Sequence, residues 1–163
     1  MVDIRKPLNV FAQSVVPGQI ALMGATSPES LTVMIEQSSV ATVYPAYPVK
    51  LVPGSSQIPL VDLADPDADD IYGIALYNPK VTAWVKKDIL QVATKNAVLY
   101  FKSGGSLSRG ARVGLDGTDF TLQAQDGTNV IGILLDDAGK DDIVRVELDL
   151  PLCSTAVSGD GPQ

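Results

Sequence analysis

The chain has 163 residues, of which 45% are hydrophobic, and 12 basic residues against 19 acidic ones give a formal net charge of −7. This length and apolar content suit one folded domain with a sizeable core and exclude a wholly disordered chain. Nucleic acid is excluded as an expected partner, because a phosphate backbone is bound by concentrated Lys and Arg. No apolar run approaches the roughly 18 residues that a membrane helix needs, so no membrane association is expected. The single cysteine, Cys153, can form no internal disulfide.

Residues 1–45 are predicted to form an N-terminal arm that ends in a first strand. Pro and Gly residues punctuate the arm, and its apolar residues follow no sustained period, as is typical of an extended segment. Leu31, Val33 and Ile35 then alternate with other residue types. This spacing favours a strand over a helix beginning at Pro28.

A short pattern that occurs twice begins after the arm. The paired segments are Val49-Lys50-Leu51 with Val113-Gly114-Leu115, Tyr72-Gly73-Ile74-Ala75-Leu76 with Ile131-Gly132-Ile133-Leu134-Leu135, and Asp88-Ile89-Leu90-Gln91-Val92 with Asp142-Ile143-Val144-Arg145-Val146. The pairs lie 64, 59 and 54 residues apart, so the second copy loses five residues at each step. Short strands in the same order predict a duplicated β core over residues 46–152, in which each copy buries an apolar face against the other. None of the paired positions carries a side chain suited to bond-making chemistry.

The remaining signals complete an all-β prediction. Residues 97–101 form an apolar run of strand length, and residues 120–124 and 144–150 alternate apolar with polar side chains. Gly- and Asp-containing turns separate these segments, which predicts a small β-barrel or a sandwich. Residues 153–163 are rich in Ser, Gly and Asp and are predicted to be a flexible C-terminal tail.

The chain has no histidine, so Ser-His-Asp and Cys-His arrangements are impossible, although Ser-Lys and paired-carboxylate arrangements remain open. Neither enzymatic activity nor a cofactor is expected. The acidic run Asp62–Asp70 begins like a calcium-binding loop. However, Asp70 stands at the position of the required Gly and Leu76 at that of the bidentate Glu. The run is therefore predicted to be a solvated turn, with a weakly held cation as the alternative, and no metal site is predicted. Residues 104–110 are predicted to be a β-turn or bulge, because they lack the Gly-Lys-Ser/Thr ending of a phosphate-binding loop.

Several residues are candidates for contacts with a partner. Trp84 is assigned to the extra residues of the first copy, where an exposed aromatic side chain is a favoured interface anchor; simple packing is the alternative. Tyr77, Asn78 and Lys80 lie in the same loop and carry the same alternatives. Arg5 of the arm is a candidate for pairing with an acidic partner, with solvent exposure as the alternative.

Three stretches of the sequence match motifs of one family, in that family's order. The motif "FG-hydrophobic-x-x-YN-x-K" resembles Tyr72-Gly73-Ile74-Ala75-Leu76-Tyr77-Asn78-Pro79-Lys80. The motif "V-M-Y-M … I-A-R-G-A-x-V" is similar to Ala97-Val98-Leu99-Tyr100-Phe101 through Leu107-Ser108-Arg109-Gly110-Ala111-Arg112-Val113. The motif "IG-x-x-L … GD-L-I-R-V … P" resembles the stretch from Ile131-Gly132 to Asp142-Ile143-Val144-Arg145-Val146 and Pro151. These motifs are those of the structural cement, or head decoration, proteins of tailed bacteriophages. The matches span about residues 46–151. Asn96 and Asp141 stand where that family usually has Gly at a turn.

The resemblance implies a protein that binds the outer surface of an icosahedral phage head and clamps neighbouring subunits of the major capsid protein. The expected location is therefore the outer surface of the virion capsid, after synthesis in the host cytoplasm. Members of the family usually act as small oligomers, so a homotrimer is expected and a dimer is the alternative. An arm that orders on a neighbour must bury apolar surface to offset its lost conformational entropy, and the candidates are Ile4, Leu8, Val10 and Phe11.

Two other classes of function remain open. A small β-barrel module that binds carbohydrate or a host receptor predicts an exposed aromatic patch around Trp84. An enzyme of the trimeric β-barrel kind, such as a nucleotide hydrolase, would use the Asp62–Asp70 run with a metal, but its phosphate-loop signature is missing.

Overall fold

The computed structural model describes residues 15–21, 30–127 and 129–150. The strands in these residues are β1 (Ser30–Ile35), β2 (Pro48–Leu51), β3 (Leu60–Leu63), β4 (Gly73–Ala75), β5 (Ile89–Ala93), β6 (Val98–Lys102), β7 (Arg112–Leu115), β8 (Leu122–Ala124), β9 (Gly132–Leu134) and β10 (Ile143–Leu148). This architecture confirms the all-β prediction. In the described part of the chain there is no helix long and apolar enough to cross a membrane.

The first five strands form a closed barrel, which we call the first unit. Their order around the barrel is β1-β3-β2-β4-β5. Neighbouring strands are antiparallel except at the closure, where β1 and β3 run parallel with Met34 opposite Leu60 and Ile35 opposite Val61. β1, which the sequence analysis grouped with the arm, therefore pairs with two strands of the first unit.

The last five strands, the second unit, repeat this arrangement. They follow the order β6-β10-β9-β7-β8. Read from β1 in the opposite direction round the closed barrel, the first unit has the matching order β1-β5-β4-β2-β3, so β6 corresponds to β1 and β8 to β3. The second unit also returns on itself, because Ser103 at the end of β6 forms a parallel bridge with Leu122 of β8. The Gly104 N–H donates to the Leu122 carbonyl at 2.9 Å, as the Glu36 N–H donates to the Val61 carbonyl at 2.9 Å in the first unit.

The duplication extends to single residues in the loops. Val43 and Trp84 exchange two backbone hydrogen bonds of 2.9 Å, and Leu107 and Ala138 exchange two of the same length. Each pair sits between the same strands of its own unit. The repeat predicted from three segments therefore includes all five strands and the bridges between their loops.

The turn before the last strand of each unit also repeats, and it contains a left-handed residue. Lys87 has φ 69° and Asp141 has φ 67°. Each precedes an aspartate, Asp88 or Asp142, whose carboxylate accepts a backbone N–H at 2.8 or 2.7 Å. Asn96 also has positive φ, 64°. Asp141 and Asn96 are the positions where the resembled family has Gly, and Gly is the residue that adopts this backbone conformation without steric cost.

Replacing Lys87 with glycine is expected to stabilise the protein. A long side chain in the left-handed region costs about 1–2 kcal/mol, and the greater freedom of Gly in the unfolded chain offsets part of the gain, which leaves about 0.5–1 kcal/mol. Asn96→Gly is the matched control, since Asn tolerates this region, and its effect should stay within about 0.5 kcal/mol. Urea unfolding of both variants measures the difference; an equal effect of the two substitutions would contradict the prediction.

Two clusters of buried side chains form the core. One fills the barrel of the first unit and includes Val33, Ile35, Val49, Val61, Trp84, Leu90 and Val92. The larger cluster fills the second unit and continues into the first through Ala64, Ile71, Ile74 and Ala93. The two units therefore share buried apolar surface, as the duplicated pattern predicted.

The described part of the arm connects the two units. The Gly18 N–H donates to the Tyr100 carbonyl at 2.8 Å, and the Tyr100 N–H donates to the Gln19 carbonyl at 3.0 Å, so residues 18–21 add an antiparallel segment to β6. On its other side, the Gly18 carbonyl accepts the Tyr77 N–H of the first unit at 2.9 Å. This short segment is therefore a structural link between the units.

Candidate interaction surface

The first unit carries an insertion between β4 and β5. Leu76 and Trp84 correspond to Leu135 and Ala138 of the second unit, because both pairs make matching backbone bonds. Seven residues separate the first pair and two separate the second. The extra residues of the first copy therefore fall within residues 77–83, which we call the insertion loop.

Two predicted contact residues, Tyr77 and Asn78, lie on this insertion loop. The Tyr77 side chain is 41% exposed, and its backbone N–H is held by Gly18. Asn78 is exposed, and its side-chain oxygen accepts the Lys80 N–H at 2.9 Å while its carbonyl accepts the Val81 N–H at 3.2 Å. The loop is thus a hydrogen-bonded turn that presents Tyr77 to solvent, and the contact role of both residues stays a prediction.

Trp84 does not lie where the sequence analysis placed it. Its side chain is 3% exposed and packs in the core of the first unit. Its counterpart is Ala138, so it belongs to the repeated part of the unit and not to the extra residues. The sequence already indicated this correspondence, because Trp84 and Ala138 each lie four residues before the matched aspartates Asp88 and Asp142. Trp84 is thus a packing residue here, and no exposed aromatic patch is centred on it.

The arm candidates Ile4, Arg5, Leu8, Val10 and Phe11 fall outside the described residues. Their contact role stays a prediction.

A cavity of about 440 Å³ lies beside the insertion loop, on the outer face of β1 and β5. We call it the insertion groove; its lining includes Thr32, Tyr77, Asn78, Pro79, Ile89 and Gln91. None of its lining residues is charged. Ile89, at its floor, is 55% exposed. In the sequence, the groove was indicated only by this apolar residue at an outward-facing position of an alternating strand. An uncharged concave surface of this kind fits an uncharged protein segment.

An ion pair occupies the corresponding place in the second unit. There Asp136 and Arg145 stand where the first unit has Tyr77 and Gln91. Arg145 Nη2 donates to Asp136 Oδ1 at 2.6 Å, and Arg145 Nε donates to Oδ2 at 2.9 Å. Hydrogen bonds from Arg145 lower the pKa of the Asp136 carboxyl below its ordinary value. The two units have therefore diverged at this position, with a groove in one and a bidentate ion pair in the other.

Removing this ion pair is expected to make part of the protein's stability independent of pH. Because the folded-state pKa of Asp136 is lowered, the pair contributes fully above the unfolded-state pKa of about 3.9 and is lost as pH falls through the folded-state value. Asp136→Asn should lower the free energy of unfolding by about 1–2 kcal/mol at pH 7. This difference from the wild type should shrink below about pH 4. Urea unfolding between pH 3 and pH 7 measures it.

Asp149→Asn is the control for this prediction. Asp149 lies 3.6 Å from Lys95, and both side chains are well exposed, so its loss should have little effect on stability at any pH. A cost for Asp136→Asn that stays constant down to pH 3 would contradict the prediction.

The carboxylates of the acidic run Asp62–Asp70 bind different partners. Asp62 lies in β3 and accepts the Ser39 hydroxyl at 2.6 Å. Asp69 accepts the Lys50 ammonium at 2.9 Å. Across residues 15–21, 30–127 and 129–150, no group of three or more His, Cys, Asp or Glu side chains could hold a metal ion.

The glycine pair Gly104-Gly105 lies in a tight loop that the Ser103 side chain closes. The Ser103 hydroxyl donates to the Gly105 carbonyl at 2.6 Å. The adjacent cavity of about 400 Å³ is lined by Asp116 and Asp119, whose negative charges oppose the binding of a phosphate. The loop therefore has the geometry of the predicted turn and the wrong electrostatics for a phosphate site.

Comparison with known proteins finds a solved structure with a similar fold. No protein-family model matches the chain, and no curated protein matches it. Among solved structures, the chain is similar to the N base of the head fiber protein gp8.5 of bacteriophage phi29, with 18% sequence identity and a TM-score of 0.50. The match covers 76% of this chain and 95% of that chain. At this identity the similarity shows a shared fold, and it confirms at that level the sequence's resemblance to phage head proteins.

Proposed function

We propose that this protein is a structural component of a phage head, bound to the outer surface of the capsid, where it stabilises the lattice of the major capsid protein. The observation that carries the proposal is the fold shared with the phi29 head fiber base over 95% of that chain. The ordered motifs of the sequence, which resemble those of head decoration proteins, support the same assignment.

The construction of the molecule suits a protein that must resist deformation. The first unit is a closed barrel, so its strands pair on both sides at the closure, and the second unit shares a buried core with it. Deforming such a molecule requires breaking strand ladders and opening packed apolar surface, both of which cost free energy. The acidic balance, −7, is compatible with an outer surface in contact with solvent.

The proposed partners are the major capsid protein and further copies of this chain. A homotrimer is the proposed assembly, with a dimer as the alternative, and nucleic acid and membrane are not among the proposed partners. The protein acts without catalysis or cofactor. Support for these points comes from the absence of histidine, the shortage of basic residues and the resemblance to a family of oligomeric head proteins.

The carbohydrate- or receptor-binding alternative has no observation in its favour. It predicted an exposed aromatic patch around Trp84, and Trp84 is 3% exposed. Within the described residues, the exposed aromatic side chains Tyr44 and Tyr77 are about half-exposed and lie on separate loops.

Co-sedimentation with expanded capsid shells of the same phage tests the proposal. We expect saturable binding to shells, together with a higher temperature of shell disruption when the protein is bound. Unassembled major capsid protein is the control for binding that requires no lattice. Failure of the protein to pellet with its own shells would overturn the proposed function.

A further inference from the structure

The segments on either side of β8 contain the same tripeptide. Asp116-Gly117-Thr118 precedes this strand, and Asp126-Gly127-Thr128 follows it. A third Asp-Gly pair, Asp160-Gly161, falls outside the described residues. Because the first two pairs have the same local sequence, a difference in their chemical reactivity must come from the fold.

An Asp-Gly pair can rearrange its own backbone. The glycine nitrogen attacks the γ-carbon of the aspartate and forms a succinimide ring, while the amide proton and the carboxyl hydroxyl group leave as water. Water then opens the ring at either carbonyl group. Opening at the γ-carbonyl restores aspartate, and opening at the α-carbonyl leaves glycine attached through the former side chain, as isoaspartate. Glycine favours the attack because it has no side chain to obstruct it and permits the backbone rotation that the ring requires.

The first pair is held by hydrogen bonds that oppose this reaction. Asp116 Oδ1 accepts the Thr118 N–H at 2.7 Å and the Asp119 N–H at 3.3 Å. The Asp116 N–H donates to the Thr121 carbonyl at 2.8 Å, and the Asp116 carbonyl accepts the Phe120 N–H at 3.1 Å. Ring closure at Asp116 would require the carboxylate to leave its partners and the backbone of the turn to rotate. The reaction therefore needs a local opening of this turn.

The second pair has no such restraint. A Cβ at Gly117 would overlap Asp67 Oδ2 of the first unit, whereas the nearest atom to a Cβ at Gly127 is Gln125 Nε2, at 4.0 Å. Asp126 and Gly127 are both exposed. In the described part of the chain, neither the Asp126 carboxylate nor the Gly127 N–H has a hydrogen-bond partner. Both reacting groups of the second pair are therefore free to approach each other.

The loop that carries the second pair can accommodate the product. Isoaspartate adds one methylene group to the main chain. On one side of the pair the Gln125 N–H donates to the Arg112 carbonyl at 3.0 Å, and on the other the Ile131 N–H donates to the Val113 carbonyl at 2.8 Å. The added group lies between these two hydrogen bonds, so the pairing of β7 with β8 and with β9 can persist.

We propose that Asp126 is a site of isoaspartate formation in the folded protein, and that the fold protects Asp116 from the same reaction. The nucleophile is the Gly127 nitrogen, and water is the only co-reactant. The net charge of the loop is unchanged, but the carboxylate moves and the main chain becomes longer between β8 and β9. This site does not depend on the role of the protein in a phage head.

Prolonged incubation of the full-length protein at neutral pH, over several weeks, tests the proposal. Trypsin cleaves after Arg112 and Lys140, so both pairs lie on one peptide, residues 113–140, apart from Asp160-Gly161. Electron-transfer fragmentation of this peptide distinguishes isoaspartate from aspartate at each position. We expect isoaspartate to form at Asp126 at least about tenfold faster than at Asp116, because the fold holds the Asp116 carboxylate away from the reactive geometry.

Incubation of the same protein in concentrated urea is the matched control. In the unfolded chain the two identical tripeptides should react at rates that agree within about twofold, since the fold no longer distinguishes them. Water enriched in heavy oxygen provides an independent measure. Each opening of the ring places one labelled oxygen on that residue, whether the product is isoaspartate or restored aspartate.

Gly127→Ala tests the nucleophile. The open space around Gly127 admits a methyl group without displacing a neighbour, so the melting temperature should not change. The added side chain hinders the attack and should slow the reaction at Asp126 by about tenfold. An unchanged rate in this variant would overturn the assigned route. In the folded wild type, absence of isoaspartate at Asp126, or its formation at Asp116 at an equal rate, would overturn the proposal itself.

Discussion

Replacing Gly132 with alanine is expected to destabilise the protein more than the same replacement at its counterpart Gly73. Both glycines open the repeated Gly-Ile segment, Gly132 in β9 and Gly73 in β4. A Cβ at Gly132 would overlap the backbone carbonyl of Glu147 in β10, whereas a Cβ at Gly73 would lie 3.0 Å from the carbonyl oxygen of Ala93 in β5. A backbone atom cannot rotate away as a side chain can, so β9 must separate from β10 to admit the methyl group.

The expected costs differ enough to be measured. Gly132→Ala should cost about 3 kcal/mol or more, and Gly73→Ala about 1 kcal/mol, because its contacts are tight without overlapping. For a chain of this size, 1 kcal/mol corresponds to about 2–4 °C in the melting temperature. Thermal and urea unfolding of the two variants therefore provide independent measures. Equal losses would show that the two units do not differ in how closely these strands approach.

This contact gives a physical reason for the glycines of the resembled motifs. Gly73 belongs to the segment that resembles "FG" and Gly132 to the segment that resembles "IG". In both units the Cβ position faces the carbonyl of the matched residue on the last strand, Ala93 or Glu147. A residue without a Cβ is thus required where the penultimate strand crosses closest to the last one.

Most strands could be predicted from the sequence, and β3 is the instructive exception. β2, β4, β5, β7, β9 and β10 follow from the repeated segments, β1 and β8 from their apolar alternation, and β6 from its apolar run. β3, Leu60–Leu63, contains Asp62, which was assigned to the acidic turn. In the structure the Asp62 carboxylate is satisfied by the Ser39 hydroxyl, 23 residues away in the chain. Such a long-range partner makes a carboxylate acceptable in a strand, and nothing in the local sequence reveals it.

The insertion loop could be predicted from the sequence and the insertion groove could not, because the groove also depends on contacts between residues distant in the chain. Tyr77 and Asn78 were placed on the insertion loop, where they do lie. The floor of the groove consists of strand residues, Thr32, Ile89 and Gln91, that come together through the register of β1 on β5. Register depends on which strands pair, and a single sequence does not state it. Trp84 is buried among core residues that include Val43, which lies 41 residues away in the chain.

Gly18→Ala is expected to release the segment that links the two units. Gly18 has φ +83°, and a Cβ there would lie 2.6 Å from the Ala46 nitrogen and 3.1 Å from the Ala75 carbonyl oxygen. The left-handed backbone alone costs an alanine about 1–2 kcal/mol, and the close contacts with backbone atoms raise the expected loss to about 3 kcal/mol. Both hydrogen bonds of Gly18, to Tyr100 and from Tyr77, should weaken together.

Gly110→Ala separates the backbone cost from the contact cost. Gly110 has nearly the same conformation, φ +86°, but a Cβ there meets no atom within 4 Å, and its counterpart in the first unit is already an alanine, Ala46, with φ 71°. Its loss should therefore be about 1 kcal/mol. Hydrogen exchange at the amides of Gly18, Tyr77 and Tyr100 gives a local readout, because exchange there should accelerate in Gly18→Ala beyond any change in Gly110→Ala. If the two variants lost equal stability and kept equal protection at these amides, the link would not depend on the close approach of Gly18 to the first unit.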